Sequence, residues 1–197
     1  MAERIVSDRR RELLDAAVLV FARKGFRAAR VGDIAEEAGV AHGLLYHYFR
    51  SKDEVLETIF RDTWQLLESE CGRIEAAGVP LREQLRRFAR IYLGSWLMTP
   101  ELIGVLVREI ARSPQLQERI GDFQPGFDAL TRVIERGQQT GEIDPALDAR
   151  VATFAVWGMI DEVLTAWVLG RLPAEEQNVD AAEATVTALV RRALATP

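Results

Sequence analysis

Apolar residues recur along nearly the whole chain at steps of three and four, the spacing that stripes one face of an α-helix. No stretch alternates in the manner of a strand, so the pattern predicts an all-α fold. A first helix is expected to follow Ser7 or Asp8, with Leu13, Leu14, Ala17, Val18 and Phe21 on one face. It should stop at Gly25, after the basic turn Arg23-Lys24. A second, short helix is expected over about 31–38, with Ile34, Ala35 and Ala38 inward, and a third from Ala41 or His42 to Tyr48 or Phe49. Ser51-Lys52-Asp53-Glu54 spells a capping box that opens a fourth helix, running to about Ala76. Gly78 and Pro80 then break the chain. Further helices are expected over about 81–98, 101–112, 125–139, 146–169 and 179–195, with short helical material up to Ile120. That makes three short helices in front and about six behind.

Composition narrows the class. Nearly half of the 197 residues are hydrophobic, enough for a substantial core. The single cysteine, Cys71, rules out an internal disulfide and fits a reducing cytosol. The start is polar and no stretch approaches the roughly 20 uncharged apolar residues of a membrane span, so a cytoplasmic protein away from membranes is expected. The net charge of −5 hides an asymmetry: residues 1–52 hold ten Lys/Arg against seven Asp/Glu, whereas residues 53–197 hold fifteen against twenty-three. Such asymmetry between segments is the kind that marks an interaction end.

Both histidines, His42 and His47, fall within GVAHGLLYHYFRSKDE (39–54), beside Tyr46, Tyr48 and Phe49. A metal site is a poor reading, because five residues put the imidazoles about 140° apart on a helix and no cysteine is near. Helix, glycine turn, short helix is instead the pattern of a helix-turn-helix, here 31–38 and 42–48 joined through Gly39-Val40-Ala41. Leu45 and Phe49, four apart, face the core. That leaves His42, Gly43, Leu44, His47 and Tyr48 outward, with Tyr46 on the flank. Tyrosine and histidine donate to phosphates and touch base edges, so DNA would account for this surface. A merely solvated His47, or a Tyr46 packed at the edge of the small domain, remains open.

Over RRELLDAAVLVFARKGF and VGDIAEEAGVAHGLLYHYFRSKDEVL the chain resembles the N-terminal domain of the TetR family of bacterial repressors. The resemblance implies a front domain over 7–55, which binds a palindromic double-stranded DNA operator as a homodimer. It implies a rear domain over 56–197, which binds a small hydrophobic effector and dimerises. No cofactor is implied. Tyr46 and Tyr48 would be phosphate or base-edge contacts, and Lys52 would hold a phosphate at the positive end of the fourth helix. Arg30, Ala41 and Leu44 stand where the family often has threonine, serine and threonine. Arg30 would keep a phosphate contact, and Leu44 would meet a thymine methyl.

The rear helices carry Phe60, Trp64, Phe88, Tyr92, Trp96, Phe123, Phe127, Phe154, Trp157 and Trp167. As effector-binding residues we take Trp64, Phe88, Tyr92, Trp96, Phe127 and Trp157, with Arg108 and Asp161, charged residues inside apolar helices, as polar anchors. Ordinary core packing or a surface stripe is the bland alternative for each. Small and apolar residues on the last two helices, among them Ala152, Ala155, Gly158, Ala184, Ala188 and Leu189, suggest a four-helix contact between two copies. LVREIARSPQL and GMIDEVLTAWVLG are similar to the branch of the family that represses fatty-acid degradation in response to long-chain acyl-CoA; a multidrug or other hydrophobic effector is the rival. No G-x-S-x-G, Walker loop or dinucleotide fingerprint is present, so an enzyme is not expected; an interaction module with a degenerate DNA head is the remaining alternative.

Overall fold

The computed structural model describes residues 2–110, 112, 113, 116 and 124–195, with side chains from residue 8 onward. Nine α-helices and no strand run through the described residues: α1 (Ala2–Lys24), α2 (Val31–Glu37), α3 (His42–Tyr48), α4 (Lys52–Ala76), α5 (Leu81–Met98), α6 (Pro100–Ile110), α7 (Gln124–Thr140), α8 (Ala149–Val168) and α9 (Glu176–Leu194). Most of the short helical material expected between 113 and 120, and Phe123, lie outside the described residues.

Local chemistry sets the ends of these helices. Gly25 and Gly39 adopt φ of 76° and 64°, the left-handed region in which a side chain is strained. After α2, the Val40 amide reaches back to the Ala35 carbonyl at 2.9 Å and closes the turn. At the head of α4, Ser51 Oγ accepts from the Glu54 amide at 3.1 Å, while the Glu54 carboxylate accepts from the Arg50 amide at 2.6 Å. This is the expected capping box, with the return bond one residue early. Three starts differ from expectation by three residues or more; one is that of α9, which begins at Glu176 rather than 179. α1 begins at Ala2, ahead of Ser7, so it is a long helix rather than a short one. α8 begins at Ala149 rather than 146, because Asp144 first binds the Ala146 amide in a turn and Asp148 then caps the helix through the Val151 amide.

By contacts the chain divides into two compact units: residues 1–63 with 101–118, and residues 64–100 with 119–197. In the first, α1 packs on α2 and α2 on α3 around Leu13, Ala17, Phe21, Ile34, Leu45 and Phe49, each at most 2% exposed. In the second, α5 packs most extensively on α9, and α7 on α8. Its core includes Phe88, Leu93, Leu130, Ile134 and Val156. A methyl placed on Gly137 would lie 2.7 Å from Leu81 and 2.8 Å from Ile143, so the bare glycine is what lets α7 seat there. Burying each large apolar side chain contributes about 1.5–3 kcal/mol.

α8 departs from one expectation. On length and composition it is apolar enough to cross a membrane. Ala152, Thr153, Val156, Ile160, Leu164, Ala166 and Trp167 are buried in the protein, and Asp161 and Glu162 interrupt the other side, which makes it a core helix.

Candidate functional site

α3 is anchored from below. Leu45 is fully buried and Phe49 nearly so, and Arg10 lies over the Phe49 ring at 5.4 Å while bonding Asp62 at 3.3 Å. The opposite face is open: Ala41, His42, Gly43, Tyr46 and His47 are exposed, and Arg30 at the start of α2 is exposed too. Tyr46, expected on the flank, is 52% exposed and belongs to the presented surface. Leu44 and Tyr48, expected to point outward, are half-buried, because the helix turns them toward its edges. The His42 imidazole lies edge-on to Tyr46 at 5.5 Å, and His47 edge-on to Tyr48 at 5.3 Å. A methyl on Gly32 would come within 3.3 Å of the His42 ring, so this glycine lets the imidazole rest on α2. His42, Tyr46 and His47 are thus exposed on this face with Tyr48 at its edge, a set of ring donors suited to phosphate oxygens and base edges.

Charge pairs hold α2 in place. Asp33 bonds Lys24 Nζ at 2.8 Å and the Arg30 amide at 2.8 Å, and these contacts, Lys24 foremost, hold its carboxyl below the usual range. Arg23 pairs with Glu37 alongside.

Lys52, expected at a phosphate, has partners within its own unit. Its ammonium donates to the backbone carbonyls of Phe26 at 2.8 Å, Arg27 at 3.0 Å and Ala29 at 3.0 Å, and lies 4.8 Å from the centre of the Phe26 ring. A lysine has three donors, and here three backbone carbonyls meet them.

In the second unit the expected effector residues separate into groups. Trp157 of α8 is the hub of one. Tyr92 lies edge-on at 4.4 Å, Phe127 tilted at 4.8 Å and Trp64 edge-on at 5.6 Å, so α4, α5, α7 and α8 each send in a ring. Phe154, left out of the expected set, stacks on Phe127 at 4.9 Å; its place one turn before Trp157 was the signal. The Tyr92 hydroxyl meets Cys71 Sγ at 3.7 Å. Burial raises the Tyr92 pKa well above its ordinary value and lifts the Cys71 thiol to about 11.

The other expected members stand apart. Phe88 is 2% exposed and simply core. Trp96 pairs with Trp167 at 6.1 Å and donates to the Ala174 carbonyl at 3.3 Å. Arg108, on α6, is exposed and groups with the first unit. Asp161 lies on the outward side of α8, where desolvation by neighbouring atoms, and then Glu162, raise its pKa.

Other polar groups of this unit have structural partners. Glu75 of α4 accepts from Arg132 Nε and Nη2 at 2.8 Å and from Arg136 at 3.0 Å; the Arg132 bonds above all lower its pKa. An open groove of about 550 Å³ between α5 and α9 is lined by Arg82, Arg86, Arg90 and Arg191 with Glu83 and Glu183.

Of the expected dimer residues, Ala155, Gly158, Ala184 and Leu189 are exposed and Ala188 is half-buried. Val151 at 67%, Phe154 at 49% and Leu189 at 50% add apolar bulk to the outward faces of α8 and α9.

Comparison with known proteins agrees with this geometry. Residues 13–59 match the family profile described as bacterial regulatory proteins, tetR family, and residues 79–189 match the tetracyclin repressor-like C-terminal domain. The fatty acid metabolism regulator protein of Bacillus subtilis is 31% identical over 161 residues, 80% of this chain and 82% of that protein. The HTH-type transcriptional repressor KstR2 of Mycolicibacterium smegmatis is 46% identical over 153 residues, 72% of this chain and 71% of that protein. Among solved structures, a transcriptional regulator FadR from Bacillus subtilis in complex with stearoyl-CoA superimposes with a TM-score of 0.80 at 27% identity, covering 91% of this chain and 96% of that one.

Proposed function

The chain belongs to the TetR family of bacterial regulatory proteins, and on that footing we propose that it is a repressor that holds a palindromic operator as a two-fold dimer and releases it when a long-chain acyl-CoA binds. It is a DNA-binding transcriptional regulator and not an enzyme. The observation that carries the DNA reading is the outward surface of α3: His42, Gly43, Tyr46 and His47 exposed on a base fixed by Leu45 and Phe49. In this reading residues 7–55 engage DNA through Arg30, Ala41, His42, Gly43, Tyr46 and His47, with Leu44 and Tyr48 at the edges of the contact. Residues 56–197 bind the effector and dimerise. The apolar outward faces of α8 and α9 support a self-complementary contact through Ala155, Gly158, Ala184, Ala188 and Leu189. Two recognition helices would then sit about 34–36 Å apart, one helical turn of DNA. A DNA-bound regulator works in the cytoplasm.

The effector reading rests on the Trp157 cluster and on the likeness to a regulator seen with stearoyl-CoA. Ring centres 4.4–5.6 Å apart leave no space for an acyl chain between Trp157 and its three neighbours. Entry of a chain must therefore part the rings, and tryptophan emission should report it. The test is a melting scan of the protein with stearoyl-CoA, against free CoA and a detergent. At a hundred times the dissociation constant a ligand adds about 2.7 kcal/mol, a rise of roughly 5–10 °C for a chain of this size. A rise with stearoyl-CoA alone, accompanied by loss of a gel-shifted duplex selected from a random pool, supports the whole reading. No rise removes acyl-CoA as the effector and leaves the DNA reading standing.

A further inference from the structure

We infer that Lys52 is a positioning residue that closes the base of the DNA-reading unit by bonding its two ends together, and that operator affinity depends on this closure rather than on a Lys52–phosphate contact. The inference rests on the DNA-binding reading above. Residues 30–51 contain α2, the glycine turn and α3 in full. Immediately before them lie Phe26, Arg27 and Ala29, and immediately after them lies Lys52. Its ammonium spans that gap with three bonds of 2.8–3.0 Å to the carbonyls of those residues.

Electrostatics favour this seat over a bound phosphate. Lys52 is the first residue of α4, where the positive end of the helix opposes a cation. The carbonyls it reaches follow the C-terminus of the 23-residue α1, whose end is negative. The Phe26 ring beneath the ammonium adds attraction, and that ring is held edge-on by Phe21 at 5.2 Å. Lys52 is half-buried, so its charge has exchanged water for these fixed acceptors. With every N–H committed, a phosphate could gain only a long-range share of the charge.

Lys52→Met keeps the apolar stem and removes the three donors. Amide hydrogen exchange of the DNA-free protein should quicken at least tenfold in α2 and α3, and affinity for the duplex selected by the wild-type protein should fall at least tenfold. Ile59→Val, which thins the core of the same unit, should leave affinity within threefold when measured well below both melting temperatures. Unchanged exchange in the free protein would overturn the inference; a fall of about 1.8 in the log–log salt slope of the dimer would then assign Lys52 to phosphates. An affinity within threefold of wild type, or an equal loss in Ile59→Val, would overturn it as well. If Lys52→Met does not fold, Lys52→Gln, which keeps one donor group, is read by the same criteria. Failure of the wild-type protein to select any duplex would refute DNA reading itself, whereas the exchange measurement stands without DNA.

Discussion

Replacing Trp157 by leucine tests whether the ring cluster of the second unit is an effector site or only core. The substitution keeps an apolar side chain but deletes three ring contacts, to Tyr92 at 4.4 Å, Phe127 at 4.8 Å and Trp64 at 5.6 Å. Such contacts contribute about 0.5–1.5 kcal/mol each beyond burial, roughly 1.5–4.5 kcal/mol if they simply added. Contacts sharing one residue do not add in full, and Trp157 is only half-buried, so about 2 kcal/mol is the working figure. At about 2–4 °C per kcal/mol the melting temperature of the free protein should fall by roughly 4–8 °C. The decisive quantity is the additional rise produced by stearoyl-CoA. If the chain lodges among these rings, that rise should shrink by at least half in the variant. A variant that melts within 1 °C of wild type would refute the packing argument. A lowered melting temperature with an undiminished stearoyl-CoA rise would leave the cluster as core and remove it from the effector site.

Gly137→Ala should destabilise by about 1–3 kcal/mol, because the new methyl meets Leu81 and Ile143 inside 3 Å; unchanged urea unfolding would mean that the neighbours yield freely. The Glu83 carboxyl, held at about 2 by bonds to Arg86 and then Arg87, is favoured in its charged form by folding. Its contribution is therefore present above its ordinary value of 4.5 and is lost as pH falls from there toward 2, so Glu83→Gln should flatten the acid limb of the stability curve in that window. An identical acid limb would remove the pair from the account. Cys71, 1% exposed and with its thiol raised to about 11, should resist a disulfide reagent at pH 8 in the folded protein. Modification as fast as in urea would show that the helices around it open readily.

The sequence alone determined what depends on neighbours a few residues apart. The period of three and four made the chain all-α, Gly25 and Gly39 ended α1 and α2, and Ser51 with Glu54 opened α4, because backbone hydrogen bonding and capping are local. Leu45 and Phe49 were legible as the buried side of α3 for the same reason. Tertiary structure decided what joins positions far apart in sequence. Nothing in SKDE says that Lys52 will be drawn onto carbonyls more than twenty residues earlier; that follows from where the segment after α1 meets the head of α4. Nor does helical spacing say which of ten rear aromatics will meet. Phe88, Tyr92 and Trp96 repeat every four residues along α5, yet the first is core, the second joins Trp157 and the third pairs with Trp167. A helix fixes the direction of each side chain about its own axis, but only the helices packed against it decide what waits there.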